Sequence, residues 1–250
     1  MKVYTNIMVE DSEKIRIIRI AKESNLNPLD IETLEEIKDA IEGSDGRIIV
    51  IRGSDRAFSA GANIKKFEGL DDRGSYDMAR RGHIVMDFIA SYGRPVIAAI
   101  NGFALGGGFE LALACDIRIA SPETKLGLTE TNLGILPGWG GTQRLKSMVG
   151  ITRAFEMISM GKMITAEEAF KLGIVNSITP QYFEEALKIA EEYSNRAMVA
   201  ISYVKDLMNR SGRDGFELEK EKFGLVFRTE DHREGVKAFV EKRKPSYHWK

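Results

Sequence analysis

Cysteine is almost missing from this chain of 250 residues, where Cys115 stands alone. A single thiol excludes an internal disulfide and cannot by itself build a cysteine metal site, so it points to a reducing compartment with Cys115 packed in the core. Histidine is nearly as scarce: His83, His232 and His248 are scattered without the spacing of metal ligands, which leaves surface or packing roles, and no metal is expected. Net charge is lacking too, with 36 Lys and Arg against 37 Asp and Glu, a balance of -1. No global field draws such a chain to nucleic acid or an anionic membrane, and no aromatic-basic nucleic-acid motif is present. No apolar run reaches the roughly 20 residues that span a bilayer. The amino end, MKVYTNIMVEDSEKIRIIRI, shows no apolar leader with a small-residue cleavage site, so the expected location is the cytoplasm. There is no Pro/Ser-rich linker, internal repeat or low-complexity tract.

What is present is enough apolar sequence, 43% of residues, to bury one sizeable core. KIRIIRI (14–20), RIIVIRG (47–53), PVIAAI (95–100) and DIRIA (116–120) read as strands; the last three are short apolar runs, suited to burial. Residues 27–43, with Leu34, Ile37 and Ile41 on one stripe, read as a helix, as do 77–93 and FELALAC (109–115). Strands alternating with helices predict an α/β core with parallel strands. From about 150 onward helix patterns dominate, over 152–160, 166–173, 183–197, 200–210 and 216–227.

One stretch asks for more than a fold. NGFALGGGFELALACD runs from a buried strand through Gly106, Gly107 and Gly108 into a helix that carries Glu110 among apolar residues. Glycines at a helix amino end leave backbone N–H groups open to a ligand, which suits an anion or a developing oxyanion; they also suit tight packing of helix on strand. Leu111 stands where a dinucleotide fingerprint needs its third glycine, and the Lys-Ser/Thr ending of a phosphate loop is absent. An unneeded charge at Glu110 would be costly to bury. RAFSAGANI (56–64) and LGLTETNLGILPGWGGTQRL (126–145) follow two other strands, the second carrying Glu130, which its polar neighbours allow to be a plain loop residue or cap. Trp139 lies in the glycine turn of that segment and reads as core or as pocket wall.

Together these segments resemble the crotonase superfamily, whose best-known members are the enoyl-CoA hydratases. The likeness is carried by residues 47–145 and extends more weakly through 161–178 and 234–247. It implies a crotonase-like ββα spiral core over 1–190 and a C-terminal helical trimerisation lobe over 191–250, in a homotrimer or a hexamer made as a dimer of trimers. It also implies an acyl-CoA thioester as substrate, with no cofactor. By matched position, the backbone N–H groups of Ala62 and Gly107 form the oxyanion hole and Glu110 and Glu130 are the catalytic acids. Ala60, Gly61, Asn63, Ile64, Phe223, Phe239 and Lys242 fall at substrate or CoA contacts, the last three partly toward a neighbouring subunit; read alone, Lys242 is one charge of a solvated tail. The family's AGAD is AGAN here, and LNAL is LNPL.

The resemblance favours reversible hydration of a trans-2-enoyl-CoA to a 3-hydroxyacyl-CoA, as in fatty acid metabolism, because both glutamates are present. Isomerases of the family depend on the second alone, and dehalogenases need an aspartate that LPGWGG lacks. A non-catalytic CoA-binding or RNA-associated scaffold on the same fold is the rival of another class. Which glutamate is base and which acid stays open.

Overall fold

The computed structural model describes residues 2–209 and 213–250. Three times along the chain a buried strand is followed by a short second strand and then a helix. β3 (Ile48–Arg52) leads to β4 (Ala57–Ser59) and α2 (Asp72–Ser91), and β5 (Val96–Ile100) to β6 (Phe103–Leu105) and α3 (Gly107–Ala114). β7 (Ile117–Ala120) leads to β8 (Lys125–Gly127), a 3₁₀ turn over Glu130–Leu133, and α4 (Gly141–Val149). The first strand of each unit enters one sheet and the second another, which is the ββα repeat implied by the resemblance. An antiparallel hairpin, β1 (Ile7–Asp11) and β2 (Ile15–Ile20), and α1 (Ile31–Glu42) precede the repeat.

With β9 (Ile164–Thr165) and β10 (Ser177–Ile178), the larger sheet runs β1-β2-β3-β5-β7-β10 and the smaller β4-β6-β8-β9. From β2 through β10 the larger sheet is parallel. Its central strands read as continuous apolar runs because both faces are covered. Ile49, Ile51, Ala98 and Ile100 face the main core, whereas Ile48, Val50, Ile97 and Ala99 face α7 (Tyr182–Ser194), whose Ala186 and Ala190 are fully buried against them. The strands read from sequence at 47–53, 95–100 and 116–120 are β3, β5 and β7. The three-residue strands β4, β6 and β8 have no period to detect, and β1 alternates weakly because exposed Met8 is itself apolar.

The remaining helices are α5 (Ile151–Ser159), α6 (Ala166–Lys171), α8 (Met198–Met208), α9 (Arg213–Val226) and α10 (Glu230–Val240). The helix expected over 200–210 is α8; its last expected residue, Arg210, lies outside the described residues. Among the described residues no helix is long and apolar enough to cross a membrane.

Two buried cations hold the parts around α3. The Arg118 guanidinium donates to the carbonyls of Ile174 (2.6 Å) and Cys115 (2.6 Å), pinning the carboxyl end of α3, the helix that carries Glu110. Cys115 is packed beneath it, and burial pushes its thiol up to about 12, an inert group. Lys205 Nζ reaches from α8 to Asp116 Oδ2 at 2.7 Å and to the carbonyls of Ile89 and Arg94. Removing the cation leaves the Asp116 charge unpaired, with only Val96 N donating to Oδ2, so Lys205→Met should destabilise the protein by about 3 kcal/mol, read as a lower urea midpoint. Substitution of the exposed Lys188 should change it by less than about 0.5 kcal/mol.

Candidate active site

Residues 60–63 are laid down as an added strand beside LNPL. Ala60 N donates to Leu26 O at 2.8 Å, Leu29 N to Gly61 O at 2.8 Å, and Asn63 N to Leu29 O at 2.6 Å. Buried Asn27, at φ 49°, ties LNPL to β4 by donating its side-chain amide to Ala57 O at 3.0 Å. In this pairing Ala62 N points away from Leu29.

Opposite it, α3 begins. Gly106 at φ 48°, ψ -125° adopts a turn closed to L side chains, and its N–H is taken by Gly127 O. A Cβ on Gly107 would lie 2.2 Å from the Trp139 ring, and one on Gly108 2.4 Å from Ser59 O. The two readings of the glycines therefore divide by position: Gly106 makes the turn, and Gly107 and Gly108 let the helix close on its neighbours. Ala62 and Gly107 both line one cavity of about 490 Å³. Among the described residues, neither of their N–H groups has an acceptor.

Glu110 sits one turn into α3 and is 1% exposed. Its Oε1 accepts from Trp139 N and Gly141 N, both at 2.8 Å, which leaves Oε2 toward the cavity. Burial pushes this carboxyl above the usual range, while the two amides and the Arg144 charge pull it back. Glu130 enters from the 3₁₀ turn, which is tied to α5 and its end by Thr131 Oγ1 to Ile158 O (2.8 Å) and Asn132 Nδ2 to Gly161 O (3.3 Å). Its Oε2 is buried without a partner, and burial together with the Glu110 charge pushes its carboxyl up to about 7. Both glutamates line the 490 Å³ cavity.

Ala60, Gly61 and Ile64 line the same cavity, and Asn63 lines a smaller one of about 170 Å³ beside it, with Lys66. Phe223, Phe239 and Lys242 line neither; they lie on and just after the exposed helices α9 and α10. Trp139 is both core and wall, 4% exposed yet lining both cavities, with Gly82 of α2 on its other side. The sequence reading missed the amides of Trp139 and Gly141, and the apolar wall from Met78 and the 133–136 segment. Gly82 was the available signal, because glycine inside a helix marks a close approach. Among the described residues no group of three or more His, Cys, Asp or Glu is placed to hold a metal ion.

A two-sheet ββα repeat with a pair of carboxylates and two open amides on one cavity defines a crotonase-type fold and site. The chain matches the enoyl-CoA hydratase/isomerase family over residues 10–250, and it belongs to that family and is an enzyme of that class. It is 38% identical to the crotonyl-CoA hydratase of Syntrophomonas wolfei, over 98% of each chain. It is 36% identical to the short-chain-enoyl-CoA hydratase of Clostridium acetobutylicum, over 96% of each. A crystal structure of enoyl-CoA hydratase from Bacillus anthracis superimposes with a TM-score of 0.91 at 36% identity, covering 98% of this chain and 100% of that one.

The raised Glu130 carboxyl has a consequence for stability. The folded chain binds this proton more tightly than the unfolded chain, whose carboxyl sits near 4.5, so stability is lost as pH rises from 4.5 through about 7. Glu130→Gln should therefore stabilise the protein at pH 8 by about 1–3 kcal/mol, allowing for partial solvent access. The gain should shrink toward zero at pH 5, as read from urea midpoints at the two pH values.

Proposed function

We propose that this protein adds water reversibly to a trans-2-enoyl-CoA to give a 3-hydroxyacyl-CoA. The observation that carries the reading is the pair of glutamates on one cavity with the two unanswered amides. The thioester oxygen takes the N–H groups of Ala62 and Gly107, so negative charge gathers there as water attacks C3 and the C2–C3 double-bond electrons move toward the carbonyl. Glu110 acts as base. Its Oε1 is held by two amides that favour its anion, and its Oε2 is left to take a proton from water. Glu130 acts as acid, because its unpartnered Oε2 and the neighbouring charge favour the protonated form, and it delivers that proton to C2. The C3–O and C2–H bonds form as the double bond is lost. The proton taken by Glu110 then resets Glu130. This chemistry calls for no metal or redox cofactor; acyl-CoA is the substrate.

The name of the Clostridium relative supports a short acyl chain. The same proposal includes a trimer, or paired trimers, built through residues 191–250, with Phe223, Phe239 and Lys242 meeting the CoA bound by a neighbouring chain. That they do not line this chain's own cavity, and the strong exposure of Phe223 and Phe239, support that arrangement.

Crotonyl-CoA mixed with the purified protein should lose its conjugated thioester absorbance. Glu110→Gln and Glu130→Gln should each lower kcat by about 100-fold or more, and wild-type kcat/KM for hydration should fall as pH rises past about 7, where Glu130 gives up its proton. Isomerisation of a 3-enoyl-CoA that survives Glu110→Gln, without hydration in the wild type, would overturn this reading in favour of an isomerase. Lys242→Ala should raise KM several-fold, about 1 kcal/mol of binding, with kcat unchanged.

A further inference from the structure

The turn that presents its amides to Glu110 is gripped from behind as well. Between the two peptides that donate inward lies the Trp139 carbonyl, which accepts from Arg144 Nη1 at 3.0 Å. Arg144 Nη2 donates to Asp87 Oδ1 at 2.6 Å, so one guanidinium joins α4, the turn and α2. Gly140 lies in the left-handed region at φ 103°, and a Cβ there would meet Arg144 Nη1 at 2.1 Å. Backbone and guanidinium thus reserve the position together. A planar fork can hold the carbonyl and the carboxylate at once, which a lysine ammonium cannot do with the same geometry.

We propose that Arg144 is a positioning residue for Glu110, fixing the 139–141 turn so that both amides bear on Oε1 and placing a positive charge behind the carboxylate. This rests on the hydratase reading, in which Glu110 is the base. Of the elements packed against α3, β4 and β6 carry no charged side chain; α4 supplies Arg144, with Lys146 turned to solvent. From α2, Asp87 acts through Arg144, and His83 abuts the Gly140 turn. Glu130 brings the opposing negative charge, and α3 has no other charge of its own. Arg144 is the cation that pulls the Glu110 carboxyl down against burial.

The test compares wild type, Arg144→Gln, Arg144→Lys and Asp87→Asn in crotonyl-CoA hydration across pH, alongside a ¹³C NMR titration of carboxyl-labelled glutamate with Glu110→Gln to assign the resonance. Arg144→Gln should lower kcat about 10- to 100-fold with KM little changed. Its acid limb and its Glu110 titration should both move to higher pH, since the base loses the charge that favours its anion. Arg144→Lys should keep the titration near that of the wild type while kcat stays low, a split that a merely structural role would not produce. Asp87→Asn should have a small effect, because Asp87 is 69% exposed. Wild-type kcat in folded Arg144→Gln, or an unmoved Glu110 titration, overturns the proposal. If Arg144→Gln does not fold, Arg144→Lys decides: lowered kcat with an unmoved titration supports it, and wild-type kcat overturns it. If the wild type fails to hydrate crotonyl-CoA, the hydratase reading falls while the titrations still decide whether Arg144 governs Glu110.

Discussion

A carboxylate buried inside a helix is the constraint around which this molecule is arranged. Every residue of α3 is buried, Glu110 included, and a charge there is tolerable only when the protein answers it. The answer is the Trp139–Gly141 turn, which brings two amides to one carboxylate oxygen. That approach sets the neighbouring sequence. Gly141 must be small because a Cβ would stand 3.0 Å from Glu110 Cγ, and Gly107 because the Trp139 ring lies over it. The glycines that look made for a substrate are thus required in part by the acid itself, and the proposed oxyanion site lies where the helix start is left bare.

Much of the fold could be read from the chain, for a physical reason. Strands buried on both faces appear as unbroken β-branched runs, and amphipathic helices repeat at their own period. What could not be read is how those runs are shared. Ile48 and Ile49 are equivalent letters in RIIVIRG, yet one packs on α7 and the other on the main core, because alternation within an all-apolar strand leaves no trace in composition. The second strand of each repeat was hidden for a different reason: three residues, such as Ala57–Ser59, are too few to show any period.

The site divides in the same way. Glu110 stood out because its neighbours are apolar, so its burial and its need for partners were legible. Glu130 did not, because TETN is polar; it becomes partly buried only when the 3₁₀ turn is tied to residues 27 or more positions away, and resemblance alone marked it. Backbone amides have no letter at all. The cradle of Glu110 could not be seen before the chain was folded, and the N–H of Ala62 was marked only by the resemblance, although the small residues around them were in view.

The contrast between Glu110, with two amides on Oε1, and Glu130, with a buried Oε2 that has no partner, suits the proposed hydration. A base must be an anion before water arrives, so its charge has to be supported by groups that are already in place, and amides fixed in a turn need no reorganisation. In the proposed roles the acid must hold its proton until C2 needs it, which burial and a negative neighbour favour. Leaving Glu130 Oε2 and the amides of Ala62 and Gly107 without protein partners costs about 1–3 kcal/mol for each group that is buried, and the surrounding core bears that cost. In the proposed reaction the two amides recover their share most fully when charge reaches the thioester oxygen, which directs that energy to the transition state rather than to the bound substrate.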